Sequence, residues 1–248
     1  MENEVTKIPK VIHYCWFGGN PLPDSAKKCI NSWKKYFPGY EIRQWDESNF
    51  DVNAITYTRE AYESGKYAFV SDYARFVILK EHGGVYFDTD VEVIKPFDDI
   101  LCHGGFMGIE FDHFVNPGLG CAAEKGNALL DSIIEYYKGL HYKDQEGNKL
   151  PGTVVTHTTD VLLQHGYTKN ATLPVSVCGI TIYAYDYFNP LEDATGKMRK
   201  SERTHSIHWY SKTWISGYGT WRTRLTRLLH RVIGVERSQQ IKKLLGLG

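Results

Sequence analysis

The chain has 248 residues, 42% hydrophobic and 14% aromatic, enough for one large α/β domain with a sizeable core. Lysine plus arginine equals aspartate plus glutamate at 29 each, so no global field draws nucleic acid, and no nucleic-acid partner is expected. Five scattered cysteines with no Cys-x-x-Cys pair give no sign of a zinc ribbon or redox dithiol and fit a reduced, cytosolic setting. Residues Met1 to Lys10 lack the apolar core of a signal peptide, and no apolar run is long enough to span a bilayer.

In chain order, Val11 to Phe17 is apolar, β-branched and aromatic and stops at Gly18-Gly19, which predicts a buried first strand running into a loop. Asp24 or Ser25 can cap a helix in which Ala26, Cys29, Ile30, Trp33 and Phe37 recur at helical spacing until Pro38-Gly39. Tyr40 to Trp45 then reads as a second strand, completing a β-α-β unit. A helix over about Lys66 to His82 follows, ending at Gly83-Gly84 in a left-handed cap, with Asp72 and Arg75 on one face. Val85 to Ile94 predicts a strand carrying Asp88 and Asp90, closed by Pro96. Beyond it come a helix over Ala128 to Leu140, a polar loop, a helix around Thr158 to His165, and strands near Ile180 to Ala184 and Thr204 to Trp209. Thr158, Thr159 and Asp160 are a plausible cap for the later helix. The alternation argues for a single α/β domain with a mostly parallel sheet.

Charge is uneven along the chain. From Tyr218 to Gly248, seven basic residues face one acid, a balance of +6 that leaves −6 for the remainder. Leucine, isoleucine and valine interleave with these cations, an amphipathic pattern suited either to an anionic membrane surface or to a helix packed on the domain.

The chemistry centres on Asp88 and Asp90. Carboxylates two apart on an extended chain project to one side, and hard oxygen ligands of this kind suit Mg²⁺ or Mn²⁺ beside substrate phosphates. Alone the pair is a weak signal, because acids on a solvated strand are common. Placed directly after Gly83-Gly84-Val85-Tyr86-Phe87 in an apolar segment, they would be costly to desolvate unless they coordinated something. Asp72 and Arg75 read either as a surface ion pair or as groups that hydrogen-bond sugar hydroxyls.

Three ordered blocks carry a family resemblance: Ile8 to Gly19, Ser71-Asp72-Tyr73-Ala74-Arg75, and Gly83 to Asp90. They resemble the DXD-containing sugar transferases of glycosyltransferase family 32, most closely the bacterial capsular polysaccharide type, over roughly residues 8 to 214. The resemblance implies a GT-A fold, a single Rossmann-like domain over residues 1–217, ahead of the basic tail at 218–248. It also implies a nucleotide-sugar donor, with a UDP-sugar favoured, a Mn²⁺ or Mg²⁺ ion, and transfer with retention to a glycan or lipid-linked acceptor.

Residue by residue, the resemblance places Trp16 against the nucleotide base, where the bare sequence allows equally a core tryptophan. Asp72 and Arg75 match the pair that grips the donor sugar. Asp88 matches the acid that contacts ribose and sugar and reaches the metal largely through water, and Asp90 the direct metal ligand. A third ligand, His208, comes from Ile207-His208-Trp209-Tyr210-Ser211-Lys212-Thr213-Trp214, in which Trp209 replaces the family's second histidine and Thr213 its serine. Without the resemblance, His208 reads as a satisfied histidine between aromatics. Tyr86, Thr213 and Trp214 join the nucleotide-sugar contacts, and Asn116-Pro117-Gly118-Leu119-Gly120 would bring backbone close to a sugar, or simply turn the chain. Two rivals share parts of the pattern: a haloacid-dehalogenase-like phosphatase with Asp88 as nucleophile, and a non-catalytic, cation-dependent sugar-binding module.

Overall fold

A computed structural model describes residues 7–211 together with 226–228, 230 and 234. Strand β1 (Val11–Cys15) runs through helix α1 (Asp24–Tyr36) to β2 (Glu41–Trp45), and the two strands pair in parallel as the β-α-β reading expects. Helices α2 (Thr56–Glu63) and α3 (Tyr67–His82) follow. Gly83 caps α3 with φ 65° and hands the chain to β3 (Gly84–Tyr86), then β4 (Val91–Val93) and α4 (Asp98–Leu101).

The middle of the chain supplies β5 (Gly105–Ile109), β6 (Val115–Asn116), a 3₁₀ turn at Pro117–Leu119, β7 (Cys121–Ala123), and helices α5 (Ala128–Lys138) and α6 (Val154–Gln164). The last described part comprises β8 (Val175–Val177), β9 (Ile180–Tyr183), α7 (Tyr185–Phe188), the hairpin β10 (Leu191–Glu192) with β11 (Lys197–Met198), and β12 (Ser206–His208).

The main sheet has the order β2-β1-β3-β7-β5-β9-β8, with β6 added to β5. Pairings make β2, β1, β3, β5 and β9 run one way and β7, β6 and β8 the other, so the sheet is mixed but mostly parallel. Helices cover both faces. The aromatic residues of α3 pack with α5 and α6 on one face, while Trp33 and Phe37 of the α1 region meet Phe87, Phe97 and Phe106 on the other. The carboxyl ends of the five co-directional strands share one edge, where open α/β sheets bind ligands.

His13, fully buried in β1, pins the turn that leads into β3. The Trp45 indole N–H donates to its Nδ1 at 3.1 Å, so Nε2 carries the proton and donates to the Gly83 carbonyl at 2.9 Å. Burial pulls its pKa down to about 4, outweighing the opposing pull of the Gly83 bond. A base whose folded pKa lies below its unfolded value of 6.5 gives stability that is complete above 6.5 and is lost as pH falls towards 4. That window spans about 3 kcal/mol at most. Urea midpoints at pH 7 and pH 4.5 are expected to fall further in the wild type than in His13→Gln; equal drops would remove this role from His13.

Two elements differ from the sequence reading. The predicted strand Val85 to Ile94 is broken: β3 and β4 belong to different sheets, and the chain turns between them. The later helix starts at Val154, capped by Thr153 and Thr156 in a reciprocal box, so Thr158, Thr159 and Asp160 lie within it and cap nothing. The basic tail falls outside the described residues except at 226–228, 230 and 234, where Arg227 pairs with Asp193 at 2.9 Å and His230 meets the Ala194 carbonyl at 2.8 Å, both between β10 and β11. Among the described residues, no helix is long and apolar enough to cross a membrane.

Candidate active site

Phe87 and Val91 are fully buried on either side of Asp88-Thr89-Asp90, and the turn between them is closed by a Val91 N–H to Asp88 carbonyl bond of 3.0 Å. Phe87 donates its N–H to the His13 carbonyl, and the Trp33 indole donates to the Val91 carbonyl at 2.8 Å. The apolar anchors hold the turn from both ends, while the two acids lie at the sheet's carboxyl edge. The turn gathers the carboxylates; an uninterrupted strand does not.

Strand β12 completes the cluster. It pairs antiparallel with β4 and sets His208 opposite Val91. His208 Nε2 stands 3.1 Å from Asp90 Oδ1, and Ser211 donates to Asp90 Oδ2 from its N–H at 2.8 Å and its hydroxyl at 3.0 Å. Asp88, Asp90 and His208 each offer a ligand atom, all within 4.8 Å of one another. Two carboxylates and an imidazole at this spacing fit a hard divalent cation of the Mg²⁺ or Mn²⁺ kind.

Charges in the cluster are uneven. Burial pushes the Asp90 carboxyl up, but the His208 charge and the bonds from His208 and Ser211 outweigh it and hold the group well below the usual carboxylate range. Burial favours neutral His208, and Asp90 reverses this, so its pKa is raised. Burial also raises Asp88, with Arg75 opposing. A cation entering here competes with protonation of His208, which ties its binding to pH.

Arg75 is 2% exposed and lies between two acids, 2.9 Å from Asp72 and 3.2 Å from Asp88. Its guanidinium packs over the Tyr86 ring at 4.8 Å, and the Tyr86 hydroxyl donates to Asp88 at 3.1 Å. Asp72 and Arg75 are therefore a buried pair, not a solvated one. Burial raises the Asp72 pKa to about 7 despite Arg75 and a bond from the Val154 N–H at the start of α6. Gly118 allows the closest approach: a Cβ there would stand 2.5 Å from Asp88 Oδ2.

Trp16 follows β1 at the same edge, half-buried, its indole N–H donating to the Asn20 carbonyl at 2.6 Å. Thr213 and Trp214 lie outside the described residues. The structure thus gathers Asp72, Arg75, Tyr86, Asp88, Asp90 and His208, with Trp16 at the neighbouring strand end. Sequence reasoning gave no role to Ser211 or Glu110. Ser211 stands in the His208 block, whereas Glu110 is a lone acid closing the apolar run Gly105–Ile109.

Comparison with known proteins adds independent findings. A family described as "Glycosyltransferase sugar-binding region containing DXD motif" matches residues 23–107. An uncharacterized glycosyltransferase of Acanthamoeba polyphaga mimivirus is 33% identical over 179 residues, covering 66% of this chain and 67% of that protein. Inositol phosphoceramide mannosyltransferase 1 of Schizosaccharomyces pombe is 31% identical over 115 residues, covering 42% of this chain and 34% of the yeast protein, so the chain aligns with only a third of that relative's length. Among solved structures, the PaToxG glycosyltransferase aligns at 20% identity and a TM-score of 0.46, covering 63% of this chain and 69% of that one.

Proposed function

We propose that this chain, which belongs to the DXD-containing glycosyltransferase family, moves a hexose with retention from a nucleotide-sugar, a UDP-sugar favoured, to a glycan or lipid-linked acceptor. It is an enzyme of the transferase class. The observation that carries the reading is the 4.8 Å cluster of Asp88, Asp90 and His208 at the carboxyl edge of a mostly parallel sheet. Asp90 and His208, with Asp88 in reach, would hold a Mn²⁺ or Mg²⁺ ion, which would supply electrostatic neutralisation of the departing diphosphate.

The chain's own groups do the rest. Trp16 offers a flat ring for the nucleotide base at the end of β1. Asp88, steadied by Arg75 and Tyr86, accepts hydrogen bonds from ribose and sugar hydroxyls, and Asp72 with Arg75 orients the sugar. A lipid-linked acceptor is supported by the yeast relative, whose name describes transfer to inositol phosphoceramide. The resemblance to capsular transferases supports a place in surface polysaccharide synthesis.

Calorimetry tests the donor reading. UDP is expected to bind with Mn²⁺ present and to lose at least about tenfold in affinity when the cation is chelated. Binding of simple sugars with no nucleotide dependence would instead favour a sugar-binding module.

A further inference from the structure

A helix that packs on a domain buries its leucines and leaves its arginines to solvent. The described part of the C-terminal tail does the reverse. Thr226, Arg227, Leu228 and His230 are helical, and Arg227 and His230, three apart on one face, hold the hairpin of β10 and β11. Arg227 donates to the Asp193 carboxylate at 2.9 Å and to its carbonyl at 3.1 Å, and His230 Nδ1 donates to the Ala194 carbonyl at 2.8 Å. Both side chains are half-buried, whereas Leu228 beside them is 54% exposed. The helical turn is docked by its polar side and turns its leucine outward.

Leu228 has company. Among the described residues the exposed large apolar side chains are Leu163, Met198, Trp209 and Leu228, and the last three lie at or next to this hairpin. Met198 stands on β11 opposite Leu191, and Leu191 packs with Ile207, two residues before Trp209. The Trp209 ring is fixed while 40% exposed: its indole N–H donates to Glu92 at 2.9 Å, and Lys28 of α1 lies 3.3 Å from the same carboxylate. The hairpin acids Glu192 and Asp193 pair with Arg199 and Arg227, so Lys197 and Lys200, both exposed, leave the hairpin surface positive. The tail on either side of the turn carries the excess of +6 between residues 218 and 248.

We propose that this face, made of the hairpin, Trp209 and the helical turn at 226–230, docks on a bilayer containing anionic lipid. Apolar side chains standing singly among lysines suit an interface where they enter the acyl boundary while the cations stay with the headgroups. A tryptophan whose N–H keeps its partner suits the same depth. A second copy of the chain would bring the same positive charge to the face, so charge favours anionic lipid over self-association. The face adjoins the site, because Trp209 directly follows His208 and donates its N–H to the Asp90 carbonyl at 3.0 Å. Docking there holds the cation cluster at the membrane surface, within reach of an acceptor carried on lipid. This goes beyond the donor reading, which names the chemistry but not the surface on which it takes place.

The test sediments the full chain with vesicles of phosphatidylcholine alone or with about 30% phosphatidylglycerol. The wild type is expected to bind the anionic vesicles, and at least about tenfold more weakly without phosphatidylglycerol or at about 0.5 M salt. Met198→Glu combined with Leu228→Glu should weaken binding to anionic vesicles by about tenfold or more, with the melting temperature unchanged. Lys197→Glu combined with Lys200→Glu, which alters charge and no apolar surface, should weaken it by at least about fivefold. Absence of wild-type binding, or binding unchanged in either double variant, would overturn the proposal. So would a wild-type dimer in analytical ultracentrifugation that Met198→Glu with Leu228→Glu dissociates, since the face would then belong to a second copy. None of these readouts needs turnover, so their failure leaves the donor reading standing, and a wild type that binds vesicles yet fails to bind UDP with Mn²⁺ overturns the donor reading alone.

Discussion

Asp90→Asn is expected to fold, to keep its melting temperature within a few degrees, and to lose about a thousandfold or more in sugar transfer. Asparagine keeps the shape of the side chain and one carbonyl oxygen to accept from Ser211, so β12 stays tied to the turn. What disappears is the charge. Without it His208 loses the carboxylate that raises its pKa, so burial favours the neutral imidazole and the fold is spared an unpaired buried cation. The cation site, by contrast, loses its hardest ligand, and Asp88 cannot replace it because Arg75 and Tyr86 already hold that carboxylate. Turnover and Mn²⁺ titration of purified Asp90→Asn check this; near wild-type activity would show that Asp90 is not the ligand.

Arg75→Met is expected to cost about 3 to 5 kcal/mol of stability as well as activity. Methionine fills much of the volume but leaves Asp72 and Asp88 buried with no cation between them. The Asp72 carboxyl is already raised to about 7 with Arg75 in place. A carboxyl whose folded pKa exceeds its unfolded value of 3.8 stabilises the fold below 3.8 and loses that contribution as pH rises through the folded pKa. Removing Arg75 extends this loss to higher pH. Urea unfolding at pH 5 and pH 8 should therefore show a deficit that widens at pH 8, and Asp72→Asn in the same chain should recover part of it. A deficit independent of pH would mean that packing, not charge, sets the cost.

Much of the site was legible because its residues sit in short blocks with spacing. Asp72 and Arg75 are three apart on a helix, and that spacing alone brings them together. His208 needed the family resemblance, since nothing local to Ile207-His208-Trp209 points to a partner more than a hundred residues earlier; only the β4–β12 pairing does. The turn at Asp88 to Asp90 was hidden by its own anchors. Val85, Phe87, Val91 and Val93 alternate as one strand would, although Phe87 and Val91 serve to clamp a turn. The start of α6 was missed because threonine, not glutamate, closes its capping box at Thr156.

Asp90 and His208 would hold a divalent cation, which in the proposed reaction would stabilise the nucleoside diphosphate as it leaves a nucleotide-sugar. The most direct measurement is UDP release from a panel of UDP-sugars with Mn²⁺, after chelation, and after Mn²⁺ is restored. Turnover of at least one UDP-sugar that stops on chelation and returns with the ion is the expected result, and turnover that is insensitive to the chelator would contradict it.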